Sequence, residues 1–206
     1  RSQQQINPSR IWVDIFGATS NTNWITQLKT TKEIKNVFYE QTEDDVFRVV
    51  IELKHQQHWG HTIYYDSTLK KLTIRVKHQP AVLDLKKLRI AVDAGHGGEN
   101  MGASGTTSNI LEKDYTLKIA KEFQAALKKA GVKNIFMTRV KDTTLDMPQR
   151  ILMLKNYSPD ILISIHLNSA GSDTVRGTST YYRYIGFRPL TTAILNQMLS
   201  LELKEY

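Results

Sequence analysis

His96 sits between Gly95 and the pair Gly97-Gly98 in the stretch VDAGHGGENMGASG, directly after an apolar run. A second histidine, His166, closes another apolar run in DILISIHLN. Imidazole is the commonest metal ligand, and a strand rich in Ile, Val and Leu has little use for it. Glycine loses more conformational freedom on folding than any other residue, so glycines gathered round one histidine indicate unusual dihedrals or a close approach. Two imidazoles at strand ends point to a metal site if the strands neighbour each other in a parallel sheet, whose C-terminal ends converge on one crevice.

Two histidines and a carboxylate are a common set for catalytic zinc. The nearby carboxylates are Asp93, Glu99, Glu112 and Asp114. Asp93 lies just before the strand end, placed to orient His96 from the second layer of contacts. Glu112 opens a helix after the glycine loop, so it can turn back to the same crevice; a first-turn acid favoured by the helix dipole is the plainer account of it. Asn168, two residues past His166, suits either a hydrogen bond to substrate or ligand or ordinary turn chemistry.

The elements that must position these groups are legible as two textures. From Arg10 to His78 the pattern is β-like. RIWVDIF alternates Ile11, Val13 and Ile15; VFRVVIEL and HTIYYD follow; KLTIRVKH alternates Leu72, Ile74 and Val76, with Asp66-Ser67 as the turn before it. This predicts a small, mostly antiparallel β module over 1–80, with one short helix near Asn23–Leu28. HQPAVLDLKK has the composition of a linker, set at 81–87. From Leu88 onward strands and helices alternate. LRIAVDA, VKNIFMTR, DILISIHLN and GTSTYYRYI read as strands. EKDYTLKIAKEFQAALKKAG reads as an amphipathic helix stopped at Gly131, MPQRILMLKN as a helix with Pro148 in its first turn, and PLTTAILNQMLSLELKEY as a last helix opened by Pro189. The expected fold over 88–206 is α/β: a doubly wound, mostly parallel sheet with helices on both faces.

Bulk composition narrows the classes. The chain has 206 residues, 40% of them hydrophobic, enough for a sizeable core. No apolar run is long enough to predict a membrane span. There are no cysteines, which excludes disulfides and thiolate metal sites and leaves the compartment open. A formal charge of +8 favours anionic partners such as an acidic polymer, but no arginine-rich run or interleaved aromatic pattern indicates nucleic acid. The start at Arg1 reads as that of a processed or trimmed chain.

Taken in order, VDAGHGGENMGASG, EKDYTLKIAKEF, TRVKDTTLDMPQRILMLKN and DILISIHLNSA resemble the zinc-dependent N-acetylmuramoyl-L-alanine amidases of the family called amidase type 3, over about Leu88 to Ala170. The resemblance implies that His96, Glu112 and His166 are ligands of a Zn2+ ion. It implies hydrolysis, with a zinc-activated water, of the amide joining N-acetylmuramic acid to L-alanine in peptidoglycan. Arg139, Asp142 and Arg150 match family positions too, and are read as structural, holding the loop after the second strand and the helix that follows it. Where the family has aspartate-proline-glycine before its histidine, this chain has Asp93-Ala94-Gly95.

Family members carry a further glutamate as general base, in a strand well after the second histidine. No residue up to Tyr206 matches it, and Glu202 and Glu205 do not fit its motif. The catalytic domain is therefore expected to be incomplete at its C-terminus, the natural chain to be longer, and the general base is unassigned. The N-terminal strands, FRVVIELKH and KLTIRVKH, resemble the wall-targeting β modules called AMIN. The location implied is the cell envelope, periplasmic or secreted, with peptidoglycan as partner and any activator protein unidentified. The alternative is a non-catalytic peptidoglycan-binding or regulatory envelope protein that retains the metal site. A rival metal cluster, His55, His58 and His61 in HQQHWGH, is expected to be a solvated loop instead.

Overall fold

Two compact units divide the chain: Arg1–Gln79 together with Arg176–Tyr206, and Pro80–Val175. The computed structural model describes residues 1–20, 30–105, 108–169, 177–202 and 204–205. The helix expected at Asn23–Leu28 lies outside the described residues.

In the first unit, β1 (Ser2–Gln5), β2 (Arg10–Phe16), β3 (Ile34–Glu43) and β4 (Val46–Leu53) form an antiparallel sheet in the order β1-β2-β4-β3. Alternation puts Ile11 and Val13 on one face of β2, buried with Ile51 of β4. Ile74 and Val76 of the hairpin β5 (His61–Asp66) to β6 (Lys71–Val76) close on the same cluster. Asp66 makes the predicted turn, its carboxylate accepting the N–H groups of Thr68 and Leu69. On β2's opposite face Asp14 lies directly across from Arg48 and pairs with it at 2.6 Å.

The second unit is built on a parallel sheet, β7 (Arg89–Ala94), β8 (Asn134–Met137) and β9 (Ile161–Ile165), in the order β8-β7-β9. Helix α1 (Glu112–Lys129) follows β7 and α2 (Met147–Tyr157) follows β8. Leu88, Ile90, Val92, Ala94, Ala120, Leu127, Val132 and Met137 form the buried core, so β7 and the inner stripe of α1 supply most of it. Gly131, at φ 87°, ends α1 as predicted: its N–H bonds the carbonyl of Lys128 and that of Val132 bonds Leu127, the paired pattern of a left-handed C-terminal cap. Helix α2 begins in a capping box, Asp146 accepting the N–H of Gln149 while the Gln149 side chain accepts the N–H of Asp146. Such a cap stabilises a helix by about 1 kcal/mol.

The strand expected in GTSTYYRYI is absent. Over Gly177–Tyr184 the backbone makes one isolated bridge, Thr178 with Glu205, and Tyr181 is 75% exposed. Tyrosine and threonine favour strands only where a pleated surface half-buries them. A 3₁₀ turn at Ile185–Phe187 then leads into α3 (Arg188–Leu199), which has Pro189 in its first turn. This turn docks on the N-terminal strands: the Gly186 N–H donates to Gln4, its carbonyl accepts from Gln57, and Tyr184 lies against the His61 ring.

Candidate metal centre

The register of the parallel ladder fixes the first half of the site. Ala94 of β7 pairs with Ile165 of β9, and the Gly95 N–H continues the ladder to the Ile165 carbonyl at 3.0 Å. The chain positions that follow on each strand, Gly95-His96 and His166, must therefore emerge side by side. Chain order reinforces this. After β7 the chain adds β8 on one side, then crosses to lay β9 on the other, so the two strands that end at the histidines are neighbours.

Glu112 arrives by a return loop. Ser104 bridges Leu111, the Gly105 N–H bonds Ile110, and the Glu112 N–H bonds the Ala103 carbonyl. These contacts seat the first turn of α1 against the glycine segment. Glu112, Thr116 and Ala120, spaced by one turn each, are all buried on one stripe, at 4%, 0% and 0% exposure. Thr116 anchors that stripe by donating its hydroxyl to the Gly95 carbonyl at 2.7 Å.

Three donor atoms meet there. Glu112 Oε1 lies 3.1 Å from His96 Nε2 and 3.2 Å from His166 Nδ1, and the two ring nitrogens are 3.2 Å apart. Among the described residues this is the group that could hold a metal ion. Lone pairs this close repel unless a cation or protons lie among them. The spacing also matches one face of a tetrahedral zinc site, where bonds of about 2.0–2.1 Å put ligands roughly 3.3 Å apart. The donor set fits a borderline divalent ion. Glu112 closes the back of the site, whereas the His166 side chain is 50% exposed, so solvent and ligand reach the cluster from its side.

Glu112 is held as a carboxylate. Burial acts to raise its pKa, but N–H donors from Ala103 to Oε2 and from Leu167 to Oε1, each at 2.8 Å, together with the neighbouring imidazoles bring the net shift below the ordinary glutamate value. Gly95 answers the question its loop raises. A Cβ there would stand 2.6 Å from His166 Nδ1, so only glycine leaves the ring its place. His96 itself occupies the left-handed region at φ 62°, a strain of about 1–3 kcal/mol that recurs where a side chain must be aimed.

The remaining expected residues are placed as follows. Asp93 does not reach the His96 ring. It is buried at 8% exposure, accepts from Thr138, Ser164 and Arg150, and acts on the loop through Arg150. Arg150 donates to the carbonyls of Ala94 and His96, and Arg139 to those of Ala94, Gly95 and Lys113. Both arginines thus brace the glycine loop, and Arg139 also donates to the Lys141 carbonyl in the segment after β8. Asp142 accepts the Gly98 N–H and pairs with Lys113, which also holds the Gly98 carbonyl; the Lys113 contact is the main cause of its lowered pKa. Glu99 and Asp114 are exposed and outside the donor cluster. Asn168 is exposed beside His166.

HQQHWGH is not a solvated loop. His58 is 2% exposed, its Nε2 lies 2.9 Å from the Gln5 carbonyl, and burial lowers its pKa. His61 contacts Ser2 and Gln4, and His55 faces Glu33 at 3.7 Å. The three serve structure separately. The residue that sequence reading passed over is Asn100, whose side-chain oxygen lies 2.9 Å from His96 Nδ1. Its signal was weak, since asparagine among glycines reads as turn chemistry.

Comparison with known proteins gives two family matches, an N-acetylmuramoyl-L-alanine amidase model over residues 90–205 and an AMIN domain model over residues 1–85. A Staphylococcus saprophyticus protein named "Probable cell wall amidase LytH" is 39% identical over 112 residues, covering 54% of this chain and 36% of that protein. Its Staphylococcus aureus counterpart is 38% identical over 106 residues, covering 51% of this chain and 34% of that protein. The chain thus spans about a third of the length of these curated relatives. Among solved structures, an N-acetylmuramoyl-L-alanine amidase from Clostridium difficile 630 is similar with TM-score 0.55 and 31% identity, covering 58% of this chain and 67% of that one. AmiC2 of Nostoc punctiforme, of the same named activity, gives TM-score 0.53 and 32% identity, covering 58% and 66%.

Proposed function

The chain belongs to the N-acetylmuramoyl-L-alanine amidase family, and on that premise we propose that it hydrolyses the amide between N-acetylmuramic acid and L-alanine of peptidoglycan, with a zinc ion held by His96 Nε2, Glu112 Oε1 and His166 Nδ1. The observation that carries this reading is the triangle of donor atoms at 3.1–3.2 Å. Zinc in such a site supplies Lewis acidity to a scissile carbonyl and to water.

The protein's own residues supply position. Glu112, kept ionised by Ala103 and Leu167, brings the negative charge that a dication needs. Arg139 and Arg150 pin the loop carbonyls so that His96 cannot drift. The exposed side of His166 leaves room for a long polymer to lie across the site, and in this reading the exposed Asn168, two residues along, hydrogen-bonds substrate. A net charge of +8 suits a wall that bears carboxylates.

The reading extends to the rest of the chain. The β8-β7-β9 order supports a doubly wound sheet. The AMIN match over 1–85 supports wall targeting by the N-terminal module, and the amidase match over 90–205 supports 88–206 as the catalytic region after a linker at 81–87. It also supports an envelope or extracellular location. Among the described residues no helix is long and apolar enough to cross a membrane.

The test is incubation of the full protein with purified peptidoglycan. New N-terminal alanine is expected, and should vanish with His96→Ala, with Glu112→Ala or after chelation. Zinc binding and sediment-bound protein without new alanine termini would replace hydrolysis by wall binding alone.

A further inference from the structure

We infer that Asn100 is a positioning residue for the metal centre, fixing the tautomer and aim of His96; this rests on the zinc reading above and deepens it. Asn100 Oδ1 lies 2.9 Å from His96 Nδ1 and 3.2 Å from the Gly102 nitrogen. The Gly102 N–H can only donate, so the Asn100 atom facing it is the carbonyl oxygen. An oxygen that accepts from both requires the proton of His96 to sit on Nδ1. The Nε2 lone pair is then free, and it is Nε2 that faces Glu112 Oε1 at 3.1 Å.

Asn100 itself is held firmly. Its backbone N–H and carbonyl pair with the carbonyl and N–H of Gly97 at 3.2 and 2.9 Å, closing a tight hairpin from His96's neighbour back to His96's ring. Partners of this kind on a ligating histidine are usually carboxylates, backbone carbonyls or water, and their loss typically costs 10–100-fold in metal affinity. An amide performs the same orientation without adding charge. With Glu112 as the one carboxylate among the donors, the centre keeps a net positive charge when a dication is bound, which favours electrophilic action on a neutral amide substrate.

Two variants, compared with wild type, test this in the full protein, with two readouts. Zinc affinity is measured by competition with a chromophoric chelator, and the His96 ring by its 15N shifts in the metal-free state. Wild type is expected to hold a proton on Nδ1. N100L should lose the single tautomer and bind zinc about 10–100-fold more weakly. N100D, which restores the acceptor oxygen, should recover both. N100L with wild-type affinity, or with an unchanged tautomer, overturns the inference; so does an N100D protein as weak as N100L. A wild type that binds no zinc overturns the metal reading instead, while the ring shifts still decide whether Asn100 sets the tautomer.

Discussion

Glu112 Oε1 and His166 Nδ1 stand 3.2 Å apart although 54 positions separate the two residues. One is delivered by the first turn of a helix, the other by the end of a strand, and the Leu167 N–H ties the strand end to the same carboxylate oxygen. Oε1 is the corner common to both imidazoles, so its charge decides whether the cluster attracts a cation. Glu112→Gln keeps the shape and an acceptor but removes the charge. Zinc affinity is expected to fall by more than the roughly 100-fold that lost supporting contacts cost, with the metal-free protein still folded. Chelator competition and circular dichroism check this; unchanged affinity would remove Glu112 from the ligand set.

Gly95→Ala isolates the close approach. Gly95 has no left-handed dihedral to strain an alanine, so the penalty falls on the His166 ring, which a Cβ would meet at 2.6–2.7 Å from its nitrogens. The ring is half exposed and can swing outward. The expected result is a melting temperature within a few degrees of wild type and zinc affinity lowered about tenfold or more. A variant that binds zinc as wild type does would show that the site tolerates a displaced ring.

What the sequence made legible follows from strong local patterns. Strand β4 and the start of α1 fall at the residues that alternation and the EKD segment indicate, and His96 and His166 are adjacent because apolar runs before them form neighbouring parallel strands. The misses share a physical cause, in that tertiary partners decided them. SQQQ carries no apolar alternation, yet becomes β1 by pairing with β2. GTSTYYRYI has the composition of a strand but no ladder among the described residues. Asp93 looked like a partner for His96, and the buried arginine between them could not be inferred from spacing.

Asp93 and Arg150 form a buried ion pair under the glycine loop, with Arg150 at 5% exposure. Breaking one side of such a pair strands the other charge, at a cost of about 3–5 kcal/mol. Asp93→Asn is expected to destabilise the protein by that amount in urea unfolding. It should also weaken zinc binding, because Arg150 is then no longer held against the His96 carbonyl. A loss below about 1 kcal/mol would mean that Thr138 and Ser164, rather than the ion pair, carry the site.

Asp14 and Arg48 offer a pH test far in sequence from the donor cluster. The Arg48 guanidinium donates to the Asp14 carboxylate at 2.6 Å, and this hydrogen bond is the main reason that the carboxyl titrates below its ordinary value, burial opposing it. A folded pKa below the unfolded one, about 3.9, means that the folded state binds fewer protons in the window between them. The pair therefore contributes its full stability above about pH 4 and loses it as pH falls through the lower folded value. Asp14→Asn should lower the urea midpoint at pH 7, and the gap from wild type should narrow steadily below pH 4. High salt should narrow it only partly, since Asp14 is 9% exposed. A gap that stays constant down to pH 2.5 would assign the loss to packing of β2 against β4 and not to the ion pair.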